Sequence, residues 1–176
     1  MVKDSPLDVK HLLEHLQAGQ SLSSAEAESV CEELLAGRLS EDETVRLLQA
    51  LRDKGESVDE IVGFARAMRR RAAKIVPSAR VTEDALVDTC GTGGAPRTVF
   101  NISTAAAFVV AGAGVRVAKH GNRSNNSRSG SADVLEALGV QVDLPPERCG
   151  EALEQIGITF LFARTMHSAM RHVAAA

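Results

Sequence analysis

Ala85-Leu-Val-Asp88-Thr-Cys-Gly91-Thr-Gly-Gly94-Ala95-Pro-Arg-Thr-Val-Phe-Asn101-Ile-Ser-Thr104 is the stretch on which the fold turns. It starts in a short apolar run, passes through a glycine-rich turn, and reaches a cluster of Asn, Ser and Thr. Residues 104–113 continue it with Ala, Phe and Val at buried-helix composition. Asn101, Ser103 or Thr104 is placed to cap that helix. A strand, a glycine-rich turn and a helix N-terminus offer backbone N–H groups and a positive dipole end to a phosphate. The spacing of Gly91, Gly93 and Gly94 matches neither the P-loop nor the dinucleotide fingerprint. Alone, such a turn is weak support for a ligand cradle.

A second segment of the same character follows. Residues 119–131, Lys-His-Gly-Asn-Arg-Ser-Asn-Asn-Ser-Arg-Ser-Gly-Ser, contain no apolar side chain and lie between two apolar segments. The pattern predicts a loop held by a scaffold, the usual seat of function. Lys119, Arg123 and Arg128 supply cations, the serines and asparagines supply hydroxyls and amides, and no carboxylate stands among them. That inventory suits a highly phosphorylated anion.

Outward from these loops, strands are predicted at 85–88, 115–118, 140–142 and 158–162, and helices at 104–113, 132–138, 146–156 and 167–174. Strands alternating with helices indicate a parallel α/β sheet, whose ligands gather at the C-terminal strand ends. Both loops follow strands, so one composite pocket is expected. Upstream, residues 7–74 read as helices. Leu7, Leu12, Leu13 and Leu16 mark the first, and Ser23…Glu26, Ser40…Glu43 and Ser57…Glu60 are three capping-box signatures ahead of amphipathic stretches. Gly37 and Gly55 punctuate them, and Pro77 marks a boundary. The predicted organisation is a helical domain at 1–76 and the first part of an α/β domain at 77–176.

Composition is that of a compact cytoplasmic protein. Of 176 residues, 44% are hydrophobic and only 3% aromatic, so the core is built of Ala, Val, Leu and Ile. A net charge of −3 speaks against a nucleic-acid or membrane-surface partner, leaving any phosphate affinity local. Cys31, Cys90 and Cys149 are too far apart for a metal motif and odd in number, which fits reduced thiols. The N-terminus lacks the apolar core of a signal peptide, and no run is long enough to span a bilayer.

Gly91-Thr-Gly-Gly94, Asn101-Ile-Ser-Thr104, Lys119-His-Gly-Asn-Arg-Ser124 and Ser129-Gly-Ser-Ala-Asp-Val-Leu-Glu-Ala-Leu-Gly139 together closely resemble anthranilate phosphoribosyltransferase, in order and in spacing. That family joins anthranilate to phosphoribosyl pyrophosphate in tryptophan biosynthesis. The resemblance implies that Gly91, Gly94 and Ala95 contact phosphoribosyl pyrophosphate. Asn101, Ser103 and Thr104 would hold its phosphates, and Lys119, His120, Gly121, Asn122, Arg123, Ser124, Ser127 and Ser131 would wrap them. Ser103 would also help ligate Mg²⁺. Gly91, His120, Asn122 and His167 would face anthranilate. No covalent nucleophile is implied, and a homodimer through the helical domain is.

Each role has a plainer counterpart: Asn101 and Ser103 as helix caps, Lys119 and Arg123 as solvated charges, His120 and His167 as packing residues. Arg69-Arg-Arg71 reads as the cationic end of a helix, and Cys90 as a small buried residue. The sequence also departs from the family. Ala95 stands for an aspartate, Val99 for a threonine, and Arg164 and Ser168 for two prolines. Family members are longer, and the resemblance thus implies an N-terminal half that keeps part of the phosphate cradle and catalyses little alone. A pyrimidine-nucleoside phosphorylase, a nucleic-acid-binding relative of the fold, and a fragment that assembles with a separate C-terminal half remain as other readings.

Overall fold

The computed structural model describes residues 7–75, 85–91, 100–124 and 129–174. The chain divides into two compact units, residues 1–72 with 169–176, and residues 73–168. The expected boundary at Pro77 lies outside the described residues.

Among the described residues the first unit contains four helices: α1 (Val9–Gln17), α2 (Ser24–Leu35), α3 (Glu41–Lys54) and α4 (Val58–Arg71). All three capping boxes form, each serine accepting from the backbone of the third helical residue while that glutamate returns the contact. Asp8 caps α1 by accepting from His11 N at 3.1 Å, a start signal the leucine pattern had left unnamed. Gly55 closes α3 at φ 83°, a left-handed conformation that an L side chain resists. α1 packs on α3 and α2 on α4 around Leu12, Leu13, Leu16, Val30, Leu34, Leu47 and Leu51. Each fully buried leucine contributes on the order of 2 kcal/mol. The α2–α4 seam is unusually close at Gly63, where a Cβ would stand 2.7 Å from that of Ala27. On the outer side of α4, Val58 and Ile61 are exposed. The arginines near the end of α4 have partners on α2: Arg70 pairs with Glu28 and Glu32, and Arg71 with Glu32.

The third box conceals a charge. Glu60 is 1% exposed, and its carboxylate accepts from Lys54 Nζ at 2.8 Å, Ser57 N at 2.7 Å and Leu22 N at 2.9 Å. Burial alone would raise its pKa; Lys54, Ser57 and Leu22 overcome that and bring it down to about 2.

The second unit holds a three-stranded parallel sheet in the order β1 (Leu86–Val87), β2 (Arg116–Gly121), β3 (Ile158–Phe162). Helices α5 (Ile102–Gly112), α6 (Ser131–Ala137) and α7 (Pro146–Ile156) connect or follow the strands. A short α8 (Ala163–Met166) leaves β3 directly, and a 3₁₀ turn spans Ser168–His172. Ala132, Leu135, Val142, Phe160 and Phe162 form a core in this unit. The helical bundle followed by a parallel α/β arrangement is as the sequence predicts.

Three local expectations need correction. Residues 140–142 form no strand: Val140 N bonds Leu135 O and Gly139 N bonds Glu136 O, so the backbone there is spent on closing α6. Val142 is buried as an anchor, which accounts for its apolar character without a ladder. Residues 167–174 are not one helix, because His167 leaves the helical region at φ −120°, ψ 51°. Lys119, His120 and Gly121 are not loop but the end of β2, opposite Phe160, Leu161 and Phe162 of β3. Ladder pairing outweighs their polarity.

Candidate functional site

β1 and β2 are parallel, so the segments that follow them open on one edge of the sheet. Three side chains join those segments. Asp88, one residue past β1, accepts through Oδ1 from Cys90 N at 2.9 Å and from His120 N at 3.3 Å. Thr89 Oγ1 donates to Ser103 O at 2.8 Å, in the first turn of α5. Asn101 Nδ2 reaches Ser129 Oγ at 3.3 Å and Ser129 O at 3.5 Å. Residues 88–91, 101–104, 119–124 and 129–131 are thereby brought together.

The capping reading for Asn101 does not hold: it occupies the N-cap position of α5 without a side-chain cap bond, its amide being turned to Ser129 instead. Thr104 is buried, and among the described residues its Oγ1 meets no hydrogen-bond partner. Cys90 is exposed rather than buried. A hydrogen bond to Asp88 pushes its thiol pKa up, the opposite of what a nucleophile needs.

Lys119 is 4% exposed, and its Nζ donates to His120 O at 3.2 Å. Burial lowers its pKa, with Asp88 and Cys90 acting in the other direction. A buried ammonium held by a neutral carbonyl retains a demand for negative charge. Beside it, the His120 and His167 rings meet edge to face with centroids 5.6 Å apart. His167 has its pKa lowered by burial and then by His120. Among the described residues, His120 Nε2 is buried without a partner. Gly121 must be glycine, since a Cβ would stand 2.7 Å from the Phe160 ring and also strike Ser131.

Beyond β2 the chain makes a tight return. Asn122 O accepts from Ser131 Oγ at 3.3 Å and from Ala132 N at 3.2 Å. Asp133 Oδ2 accepts from Ser124 N at 3.1 Å and Gly130 N at 2.7 Å. Arg123 forms two bonds to Glu136, at 2.6 and 2.5 Å, a third to Asp133 at 3.2 Å, and lies 5.8 Å above the Phe162 ring centroid. The carboxylates missing from the loop itself come from α6. Asp88, Asp133, Glu136 and Phe162 were not singled out from sequence; Asp133, three residues after Gly130, was detectable by its capping spacing.

Of the residues expected at the site, Gly94, Ala95 and Ser127 lie outside the described residues. Gly91, Asn101, Ser103, Thr104, Lys119, His120, Gly121, Asn122, Arg123, Ser124 and Ser131 belong to the segments just described, and His167 reaches them through His120. Among the described residues no group of three or more His, Cys, Asp or Glu side chains converges as a metal centre would. Among the described residues no helix is long and apolar enough to cross a membrane.

Two family models match the chain: the helical bundle domain of a glycosyl transferase family over residues 10–72, and the a/b domain of that family over residues 83–176. Anthranilate phosphoribosyltransferase of Moorella thermoacetica is 55% identical over 166 residues, covering 94% of this chain and 48% of the relative. That of Rubrobacter xylanophilus is also 55% identical, with 47% of its length covered. The crystal structure of the Thermus thermophilus enzyme superimposes with a TM-score of 0.81 at 48% identity, over 93% of this chain and 48% of that one. The Saccharomyces cerevisiae enzyme, solved in complex with PRPP and Mg, gives a TM-score of 0.82 at 25% identity, over 97% and 50%. The chain spans about half the length of the relatives it matches.

Proposed function

This chain belongs to the glycosyl transferase family that joins a helical bundle to an a/b domain, and from that premise we propose that it is the phosphate-gripping part of an anthranilate phosphoribosyltransferase. The whole protein transfers the phosphoribosyl group of phosphoribosyl pyrophosphate to the amine of anthranilate, in the cytoplasm. In that reaction the amine nitrogen forms a bond to ribose C1, the bond from C1 to the diphosphate oxygen breaks, and the nitrogen loses a proton. Charge builds on the departing diphosphate, so the useful groups are cations and donors already in place where it develops.

The observation that carries this reading is Lys119, a buried ammonium at the strand end where four polar segments are tethered. Its charge would meet the diphosphate. Asn101, Ser103, Thr104, Asn122, Ser124 and Ser131 would supply neutral donors, and the backbone at Gly91 a close approach. His120 and His167 would form an aromatic wall beside Asn122 for anthranilate. Magnesium belongs to the proposal: Ser103 would help to hold it, and the ion would supply charge neutralisation to the diphosphate. The helical unit would pair two copies, and the exposed Val58 and Ile61 of α4 support that role.

Calorimetric titration of the chain with phosphoribosyl pyrophosphate tests the reading, with Mg²⁺ present and absent. Binding by the wild type, lost in Lys119→Ala, is the expected result. No binding, or binding indifferent to Lys119, would overturn it. For the pairing, light scattering of Ile61→Asp should show a smaller species than the wild type; equal masses would remove the helical unit from that role.

A further inference from the structure

We propose that Asp133, Arg123 and Glu136 form a neck clamp that positions the phosphate loop, and that Arg123 acts through this clamp rather than as an anion ligand. The proposal rests on the reading that this loop grips phosphate.

The geometry has three parts. First, the two strands of the neck are in backbone contact. A Cβ on Gly130 would stand 2.5 Å from both Asn122 O and Ser124 N, so the absence of a side chain sets their separation. Second, a single carboxylate bridges the neck: Asp133 Oδ2 receives Ser124 N from one side and Gly130 N from the other. These amides, followed by the Arg123 guanidinium, lower its pKa, which favours the ionised, accepting form. Third, Nη1 and Nη2 of Arg123 are engaged in a forked pair with Glu136 and a bond to Asp133, and the guanidinium carbon lies over the Phe162 ring. A fork of this kind is geometrically specific in a way an ammonium cannot copy. To turn its Nη1/Nη2 fork to a phosphate, Arg123 would have to give up Glu136 and Asp133. Lys119 has none of these ion pairs: its described hydrogen bond is to a carbonyl, and Asp88 acts on it only through space. The two cations thus divide the work. Lys119 is placed for the anion, and Arg123 locks the neck that sets where Ser124, Ser129 and Ser131 stand.

Single variants of Arg123 cannot distinguish a ligand from a clamp, since both lose affinity. Glu136 can, because the two roles predict opposite signs. In the full chain, Arg123→Gln and Glu136→Gln should each weaken phosphoribosyl pyrophosphate binding about threefold, the scale of a partly exposed ion pair. The double variant should be no worse than either alone, and the salt dependence of binding should keep its steepness. The proposal is overturned if Glu136→Gln tightens binding while Arg123→Gln weakens it and flattens the salt dependence, the signature of an arginine freed to serve as ligand. Hydrogen exchange without ligand gives an independent reading. Asp133→Asn and Glu136→Gln should speed exchange at the Ser124 and Gly130 amides and leave that of Val117, bonded to Gly157 O, unchanged. Unaltered exchange at Ser124 and Gly130 would overturn the clamp. Absence of binding by the wild type would instead overturn the functional reading and leave the clamp to be judged by exchange.

Discussion

Among the described residues, Glu60 of the first unit and Lys119 of the second are buried charged residues that the structure treats in opposite ways. Glu60 in the helical unit is 1% exposed and Lys119 in the α/β unit is 4% exposed. Glu60 receives an ammonium and two backbone amides, and its pKa falls to about 2, so the charged form is favoured. Among the described residues the one hydrogen bond that Lys119 Nζ makes is to a carbonyl, and burial lowers its pKa against the opposing charge of Asp88 and Cys90, so the charged form is on balance disfavoured. A buried charge with a complete set of partners is structural. A buried charge with an incomplete set stores a demand for a ligand of opposite sign.

The largest expected effect tests the first half of that contrast. Glu60→Ala leaves Lys54 buried without its partner and should cost about 3–5 kcal/mol in urea unfolding; a loss near zero would show that the pair is not coupled to folding. The same group governs acid stability. Its pKa is lower in the folded state than in the unfolded one, so its contribution is present above the unfolded value and lost as pH falls toward the folded value. Between about pH 5 and pH 2 this amounts to on the order of 3 kcal/mol, and Glu60→Gln should flatten that part of the pH profile.

Lys119→Met should behave in the opposite sense. Stability should be unchanged or higher by about 1 kcal/mol, because a desolvated cation is replaced by an apolar chain, while phosphoribosyl pyrophosphate binding disappears. A destabilised variant would place Lys119 with Glu60 and erase the distinction. Its pH dependence has the same sign as that of Glu60, because both pKa values are lowered, but it falls in the alkaline range below the ordinary lysine value. A lysine whose folded pKa is lowered adds stability as pH rises from that value toward its unfolded one. The smallest effect comes from the exposed relative of the buried box: Ser40→Ala removes one cap and should cost about 1 kcal/mol. If Ser40→Ala and Glu60→Ala cost the same, burial adds nothing to the motif.

These pairs also mark what was legible in the sequence. The three boxes were readable because a cap is a local event, decided by residues three apart. That the third one is buried was not, because Leu22 N and Lys54 Nζ reach Glu60 from elsewhere in the chain. The alternation of strands and helices revealed the parallel sheet, yet residues 140–142 misled: Val142 is apolar for packing, and its neighbours close a helix. In the site, the polar residues were visible as a composition, but their division of labour was not. Arg123 and Lys119 look alike in a list of cations. Only the return of the chain at Gly130 brings Glu136 and Asp133 to one of them.

Gly63 has a bearing on how this protein is to be redesigned. Replacing a mid-helix glycine by alanine ordinarily gains about 1 kcal/mol of helix propensity, and a consensus-minded engineer would begin there. Here the added methyl would press on Ala27 and on the backbone of α2, so propensity and packing carry opposite signs at one residue. The tolerance is a step and not a slope, since even the smallest side chain already exceeds it. Thermostabilising α4 therefore has to proceed from its outer side, and the seam with α2 is best left untouched.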